Sequence, residues 1–493
     1  MRKTLPLWRN MLPARMHSGS SSGERCDTKI MSNLDIFPPE TVVTDPDILS
    51  GRLTDFRSKY TGKAAALLLP RHTDDVRAIV TAARANKVPL VPQGGNTSYC
   101  GGATPDTSAR AVLVGFDRMT AIREIDASNR SMTVEAGVIL QEAQDAADSA
   151  GLMLPLSLGA RGSCRIGGNI GTNAGGLNVL RYGMTRSLVL GLEVVLANGK
   201  LLNTLSPIRK DNAGLRTQDL FVGTEGTLGI VTAATLALAP RPVRQATALL
   251  AVRALEDLPG ILDRLRTVTG DSVSAFEYVA AESFDLVTRL WGRSSHPLEA
   301  DFRHAALVEV ATSADMFDVE AALESGFIEL MEEGIVIDGA LASSGAQRDA
   351  LWAARETIPE AEVHQGGSIK HDVSVRTSQV PDLVAQALRV VTSSGLDARP
   401  SIYGHVGDGN VHLNLLAGEN TTLAQIEESI SPKIYDIVSD LGGSFSAEYG
   451  IGQAKHHLDE RYGDPVRREV ARAVKHAMDP DSIFNPGKGT ALL

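Results

Sequence analysis

Cysteine is scarce in this chain of 493 residues: Cys26, Cys100 and Cys164 are all it has. Three thiols so far apart supply neither a disulfide framework nor a four-thiolate zinc site, and such usage suits a reducing compartment. Long apolar runs are missing too. The longest strongly apolar stretch, Leu188 to Ala197, is interrupted by Glu193 and has about half of the ~20 residues that a membrane span needs. Positive charge is in deficit: 48 Lys and Arg against 59 Asp and Glu leave a net charge of -11. That field cannot hold a polyanion, which argues against nucleic acid as a partner. Neither a repeat of fixed period nor a low-complexity linker is present. What remains reads as globular, 43% apolar and long enough for two or three domains.

The first 23 residues carry Arg2, Lys3, Arg9 and Arg15 without an acid and end in the Ser/Gly stretch Ser18 to Gly23. Two readings stand side by side: an organelle transit sequence, or a start assigned too early, with Met31 opening a segment of different character. Beyond it, apolar residues recur at helical spacing over 47–60 and 74–86, the second leading into a strand over Val88 to Val91. Ala111 to Val114, Met132 to Glu135 and Leu188 to Ala197 read as strands, and Leu140 to Ala150 as a helix. Pro240 and Pro242 mark a break. The later pattern alternates helices over 256–268, 319–333 and 381–392 with apolar strands such as Leu307 to Ala311, which predicts an antiparallel sheet covered by helices. A last helix, 464–477, precedes a turn-rich tail.

Two constellations carry chemistry. After Val91 comes Pro92-Gln93-Gly94-Gly95-Asn96-Thr97-Ser98, a loop of small residues whose backbone amides can approach an anionic group. Residues 155–183 then hold eight glycines and no acid. Each glycine weakens regular structure by roughly 0.5–1 kcal/mol, so this stretch is expected to stay non-helical and to be held by a large ligand. A flexible linker would not interleave Ile166, Ile170, Leu177 and Leu180 with those glycines. The second constellation is Gly404-His405-Val406-Gly407-Asp408-Gly409-Asn410-Val411-His412-Leu413-Asn414, where the glycine turn can fold His405 back toward His412 so that two imidazoles meet one ion. On the following strand His412 and Asn414, two apart, share a face.

Taken in order, Gly94-Gly95-Asn96-Thr97, Gly167-Gly168-Asn169-Ile170-Gly171-Thr172-Asn173-Ala174-Gly175-Gly176, Gly223-Thr224-Glu225-Gly226-Thr227-Leu228-Gly229-Ile230, Gly404 to His412 and Asn485-Pro486-Gly487-Lys488 resemble the D-lactate, glycolate and D-2-hydroxyglutarate dehydrogenase group of vanillyl-alcohol-oxidase-type flavoproteins. The resemblance spans the chain from about residue 40 onward. It implies an α+β fold: an extension over 1–35, a PCMH-type FAD-binding domain of two α/β subdomains over 36–240, a substrate or cap domain with a helix-covered antiparallel sheet over 241–455, and a helix and tail over 456–493 returning to the FAD domain.

It also implies roles. Pro92, Gly94, Gly95, Asn96, Thr97 and Ser98 would cradle the FAD pyrophosphate. Gly159, Ser163, Gly167, Gly168, Asn169, Thr172, Asn173 and Gly176 would lie along the cofactor, Gly229 and Ile230 would border the flavin ring, and Asn485 would join from the tail. The FAD is expected to be non-covalent, because the loop over 96–100 offers no histidine; Cys100 is the one side chain there suited to a thioether link. A Rossmann G-x-G-x-x-G opening a helix is absent, which disfavours NAD. With Glu448, from Ser446-Ala447-Glu448-Tyr449-Gly450, His405 and His412 would hold a divalent metal, zinc with manganese as the alternative. A cation beside the hydroxyl oxygen stabilises the charge that develops as hydride leaves its carbon.

Arg355 and Lys370 would hold the substrate carboxylate and Asn414 would orient it, with a solvated helix charge beside Glu356 as the plain alternative for Arg355. Two departures from the group stand out. Tyr449 replaces the histidine that is the usual base, and Pro359 replaces a threonine used by D-2-hydroxyglutarate-type enzymes. A tyrosine of ordinary pKa, about 10, is a poor base at neutral pH.

The implied activity is oxidation of a D-2-hydroxy acid, with D-2-hydroxyglutarate, D-lactate and glycolate as candidates. Haem and iron-sulfur ligation patterns are missing, so electrons would go to an external acceptor: electron-transfer flavoprotein, a quinone or a cytochrome. A homodimer is left open. A cytoplasmic location is expected, or a mitochondrial one if the extension is a transit peptide. Two competing readings are a metal-dependent hydrolase built on His405, His412 and Glu448, which leaves the FAD motifs unexplained, and a flavin-binding homologue whose activity Tyr449 has altered or removed.

Overall fold

The computed structural model describes residues 34–489; Cys26 and most of the N-terminal extension lie outside them. The N-terminal part is built on two main sheets, with a further two-stranded pair, Leu152–Met153 and Ala239–Pro240. In the first, Val42–Val43, Leu67–Leu68, Val112–Gly115 and Leu90–Gln93 lie in that order, the last three mutually parallel. The crossover is the helix Thr73–Asn86, whose Val76, Ile79, Val80 and Ala83 recur at helical spacing and are fully buried against the strands. Each such valine or isoleucine contributes on the order of 1.5–3 kcal/mol by leaving water. Lys87 ends the helix in a left-handed conformation, φ 55°.

The second sheet is antiparallel and five-stranded: Ile122–Asp126, Ser131–Glu135, Ile230–Ala237, Val189–Val195, Leu201–Asn203. Two sequence expectations are corrected in this half. The helix expected over 47–60 is confined to Pro46–Ser50, because the Asp55 carboxylate takes the backbone amides of Arg57 and Tyr60 and folds the chain into a turn. The glycine-rich stretch, expected to be non-helical, forms the short helix Ile166–Thr172. Ile166 and Ile170, one turn apart, pack into a core with Leu192 and Val194, and that burial offsets the cost of the glycines between them.

From Arg244 onward seven strands form one antiparallel sheet, in the order Val336–Leu341, Arg244–Val252, His304–Thr312, Val273–Ala280, Ala398–Gly404, Asn410–Ala417, Ile369–Ser374. Successive residues point to opposite faces, and each face has its own helices. Leu250 belongs to a core with Leu262, Leu323 and Val384, while Leu249 packs with Phe284, Leu351 and Ile358. Register then places the chemistry: Lys370 lies opposite Asn414 and Asp372 opposite His412, so alternate residues of the edge strand and its neighbour present four polar side chains to one face.

The chain's end returns to the first half. Leu90 donates its amide to Ile483 and accepts that of Asn485, which adds a parallel bridge beside the strand Leu90–Gln93. Among the described residues no helix is long and apolar enough to cross a membrane.

Candidate active site

The loop after Leu90–Gln93, the helix Ile166–Thr172 and the turns before Ile230 surround a cavity of about 640 Å³. Pro92, Gly94, Gly95, Asn96, Thr97, Ser98, Gly159, Ser163, Gly167, Gly168, Asn169, Thr172, Gly229 and Ile230 all line it. Gly95 tolerates no side chain, since a Cβ there would run into the Ser163 carbonyl. A Cβ on Gly94 would stand 3.4 Å from Gly168 Cα, so two bare backbones close one wall. In the same wall Asn169 is 4% exposed, and its Nδ2 finds no oxygen acceptor among the described residues, only the Cys164 thiol nearby. A buried donor of this kind asks for a ligand acceptor. A long, glycine-walled cleft with an orphan amide fits a dinucleotide such as FAD.

Three residues expected at the cofactor stand behind that wall. Asn173 ends the helix in a left-handed conformation, φ 51°, and its Oδ1 accepts the Arg186 amide. Gly176 closes against the Ser157 carbonyl. Asn485 donates from Nδ2 to the carbonyls of Gly102 and Glu225 at 2.9 and 2.7 Å, stapling the tail to two cavity loops. Cys100 turns toward the Gly450 carbonyl rather than into the cavity, and burial pushes its thiol up to about 12, which works against a thioether link.

The glycine turn brings His405 and His412 together, ring centroids 5.5 Å apart, and Glu448 arrives from the far loop with Oε1 3.1 Å from His405 Nε2. One ligand atom from each lies within 4.8 Å of the other two. The other nitrogen of His405, Nδ1, lies 2.5 Å from Glu277 Oε1. Burial alone would depress the His405 imidazole, but Glu277 and Glu448 outweigh it and raise it to about 10. Burial, seconded by His405 and Arg355, holds His412 well below its ordinary value and therefore neutral. Two carboxylates drawing positive charge onto one imidazole, beside a neutral imidazole, fit a divalent cation, with Glu277 behind His405 fixing the orientation of that ring.

Arg355 is not a solvated helix charge: it is 6% exposed, its Nε lies 2.7 Å from Glu277 Oε2, and its guanidinium lies over the Tyr403 ring at 4.6 Å. Glu277, which burial would raise, is brought down to about 2 by His405 and Arg355. Lys370 and Asn414 come together as expected, but on Glu362: Lys370 Nζ lies 2.7 Å from Oε2, and Asn414 Nδ2 lies 2.9 and 3.2 Å from the two oxygens. Tyr449 and Glu448 line the same cavity as Gly94 and Gly168, as do Glu356 and Pro359. Tyr449 meets Tyr99 edge-on at 4.7 Å. Burial, reinforced by Asp372 and Glu448, raises its phenol well above the usual value, the opposite of what a base needs.

Sequence reasoning missed Glu277, Glu362 and Asp372. Asp372, 1% exposed, accepts the amides of Glu448 and Tyr449 on Oδ2 and the Asn410 side chain on Oδ1, and so sets the loop that carries Glu448. The available signal was a lone acid inside an apolar strand, most plainly Glu277 within Val273–Ala280.

Residues 64–205 match the family described as FAD binding domain, and 241–489 that described as FAD linked oxidases, C-terminal domain. The chain is similar to the D-2-hydroxyglutarate dehydrogenase, mitochondrial, of Bos taurus, 36% identical over 93% of this chain and 82% of that one. A D-2-hydroxyglutarate dehydrogenase of Xanthomonas citri pv. viticola is 34% identical, over 94% of this chain and 97% of its own length. In fold it matches p-cresol methylhydroxylase with a TM-score of 0.69 at 16% identity, covering 96% of this chain and 98% of that structure. The chain therefore belongs to the FAD-linked oxidase family, joining that family's FAD-binding domain to its C-terminal domain.

Proposed function

We propose that this chain oxidises the hydroxyl-bearing carbon of a D-2-hydroxy acid to the 2-oxo acid, with non-covalent FAD as hydride acceptor and a divalent cation, zinc or manganese, at His405, His412 and Glu448. The observation that carries the reading is that Glu448 and Tyr449, from the C-terminal half, line the same cavity as Gly94, Gly168 and Asn169. Relatives named for D-2-hydroxyglutarate support the 2-hydroxy-acid end common to D-2-hydroxyglutarate, D-lactate and glycolate.

When bound, FAD supplies the two-electron sink and the cation a Lewis acid for the substrate oxygen. The protein's own part is positioning and charge. Glu277 fixes His405 through Nδ1, leaving Nε2 toward Glu448. Asp372 holds the backbone of Glu448 and Tyr449. Tyr449 keeps its phenolic proton and acts as a wall and donor rather than as the base. Arg355, Lys370 and Asn414 form the polar edge that orients the 2-hydroxy-acid end beside the cation site, each of them already held by a protein carboxylate, Glu277 or Glu362. Electrons then pass to an external acceptor such as electron-transfer flavoprotein, a quinone or a cytochrome. The mitochondrial placement in the bovine relative's name supports the transit reading of the N-terminal extension over the cytoplasmic one.

The test is anaerobic mixing of the purified, yellow protein with a panel of D-2-hydroxy acids. Bleaching of the flavin band by the D but not the L enantiomers is expected; an oxidised spectrum with every acid sinks the proposal.

A further inference from the structure

Glu362 is a carboxylate shut away from the protein surface. It is 0% exposed and is gripped by Lys370 Nζ at 2.7 Å, Ser368 Oγ at 2.8 Å and Asn414 Nδ2 at 2.9 Å. Lys370 and Asn414 are the cross-strand pair that faces the candidate site, next to Asp372 and His412. A fixed internal anion therefore already occupies the two side chains best able to receive an anionic group from a substrate. Arg355, the other buried cation here, is compensated in the same way by Glu277.

An anionic group leaving water loses its hydration, and only an uncompensated cation or several aligned donors offsets that loss. The cavity lining on this side offers neither: the nearest cation without a carboxylate partner among the described residues, Arg57, stacks over the Tyr99 ring, 5.7 Å from its centroid, and is not itself part of the lining. Pro359 has no donor, and Phe56 and Tyr99 present aromatic rings 5.7 Å apart. A second carboxylate would meet apolar surface and the field of Glu362, whereas an apolar side chain would lose nothing on entering.

We propose that Glu362 is a specificity-determining residue that selects D-2-hydroxy monocarboxylates with an apolar side chain and excludes dicarboxylates. Selection works by a repulsive element, a built-in anion, as much as by attraction. The proposal rests on the D-2-hydroxy-acid reading above and names the distal half of the substrate.

The decisive pair is D-2-hydroxyvalerate and D-2-hydroxyglutarate, equal in length and differing in one terminal carboxylate. With the flavin-loaded protein, kcat/KM is expected to favour the monoacid by about tenfold or more. Glu362→Gln frees Lys370 and is expected to narrow that gap by about tenfold, mainly through KM for the diacid, while Glu362→Asp keeps the wild-type preference. Binding of 2-oxoglutarate and 2-oxovalerate to the oxidised protein, read from perturbation of the flavin spectrum, is expected to shift in parallel. A wild-type preference for the diacid, or a gap that Glu362→Gln leaves unchanged, overturns the proposal; if neither variant folds, the wild-type ratio alone decides it. Absence of bleaching by any hydroxy acid fails the oxidation reading itself, whereas bleaching chiefly by D-2-hydroxyglutarate fails only the role of Glu362.

Discussion

His405 Nδ1 and Glu277 Oε1 stand 2.5 Å apart, although 128 residues separate them in the chain, and Glu277 uses its other oxygen on Arg355. One buried carboxylate thus orients an expected metal ligand and compensates an expected substrate-binding cation. Replacing Glu277 by Gln keeps the shape and removes the charge. Outer-shell partners of metal-binding histidines are worth about 10–100-fold in affinity. Chelator competition on the metal-loaded protein is expected to show a loss of that size with flavin content unchanged, because the flavin cavity is built from other segments. Metal affinity equal to wild type would leave Glu277 a purely structural acid.

The phenol of Tyr449 is expected to stay protonated through the working pH range, since burial and the nearby Asp372 and Glu448 oppose its ionisation. Tyr449→Phe should then retain turnover within about threefold and leave the pH–rate profile unmoved, whereas loss of a general base costs about 100-fold or more. Tyr449→His introduces a group that titrates near neutrality and is expected to raise the rate. A collapse of kcat in Tyr449→Phe would restore the tyrosine to the chemistry.

The site was legible where its chemistry is local. Gly94 to Thr97 and His405 to His412 announce themselves because each motif packs several functional groups into one turn. Glu277 and Asp372 did not, because their partners His405 and Glu448 lie 128 and 76 residues away in loops that only the folded sheet brings back to them, and Glu362 did not, because it sits on the helix Ile358–His364 and meets Asn414, 52 residues on, only by packing. The antiparallel, helix-covered sheet was readable from its alternating pattern. The helix Ile166–Thr172 was not, since glycine propensity opposes it and only the tertiary burial of Ile166 and Ile170 decides it. Residues 47–60 failed in the reverse sense: their apolar spacing suits a helix, but Asp55 captures two amides and ends it.

Lys475, 2% exposed, donates from Nζ to Asp479 Oδ2, the Thr227 carbonyl and the Phe484 carbonyl at 2.6, 2.8 and 3.0 Å. It ties the last long helix, Pro465–Met478, to the turn before Ile230 and to the tail. Lys475→Met strands the Asp479 carboxylate, and breaking a buried pair costs about 3–5 kcal/mol. Urea unfolding should report a loss of that order, accompanied by faster flavin release because Thr227 borders the cavity loops. Pairing the change with Asp479→Asn should recover part of the stability. No loss in the single variant would mean that the clasp is dispensable.

His371 supplies the pH test. The ring is fully buried, with Nδ1 donating to the Leu413 carbonyl at 2.7 Å and Nε2 2.8 Å from Ser431 Oγ, whose hydroxyl can donate to the neutral ring. Burial, helped by Lys455, lowers its pKa from 6.5 to about 4. The unfolded chain takes up this proton below about 6.5 and the folded chain only near 4, so stability from this residue is complete above 6.5 and drains away as pH falls between the two values. From pH 7 to 4.5 the loss amounts to about 2–3 kcal/mol. His371→Asn, less stable than wild type at pH 7, should therefore fall less steeply, and the gap between the two proteins should shrink by that amount at pH 4.5. Parallel stability curves would show that the ring is already charged, or hydrated, in the native state.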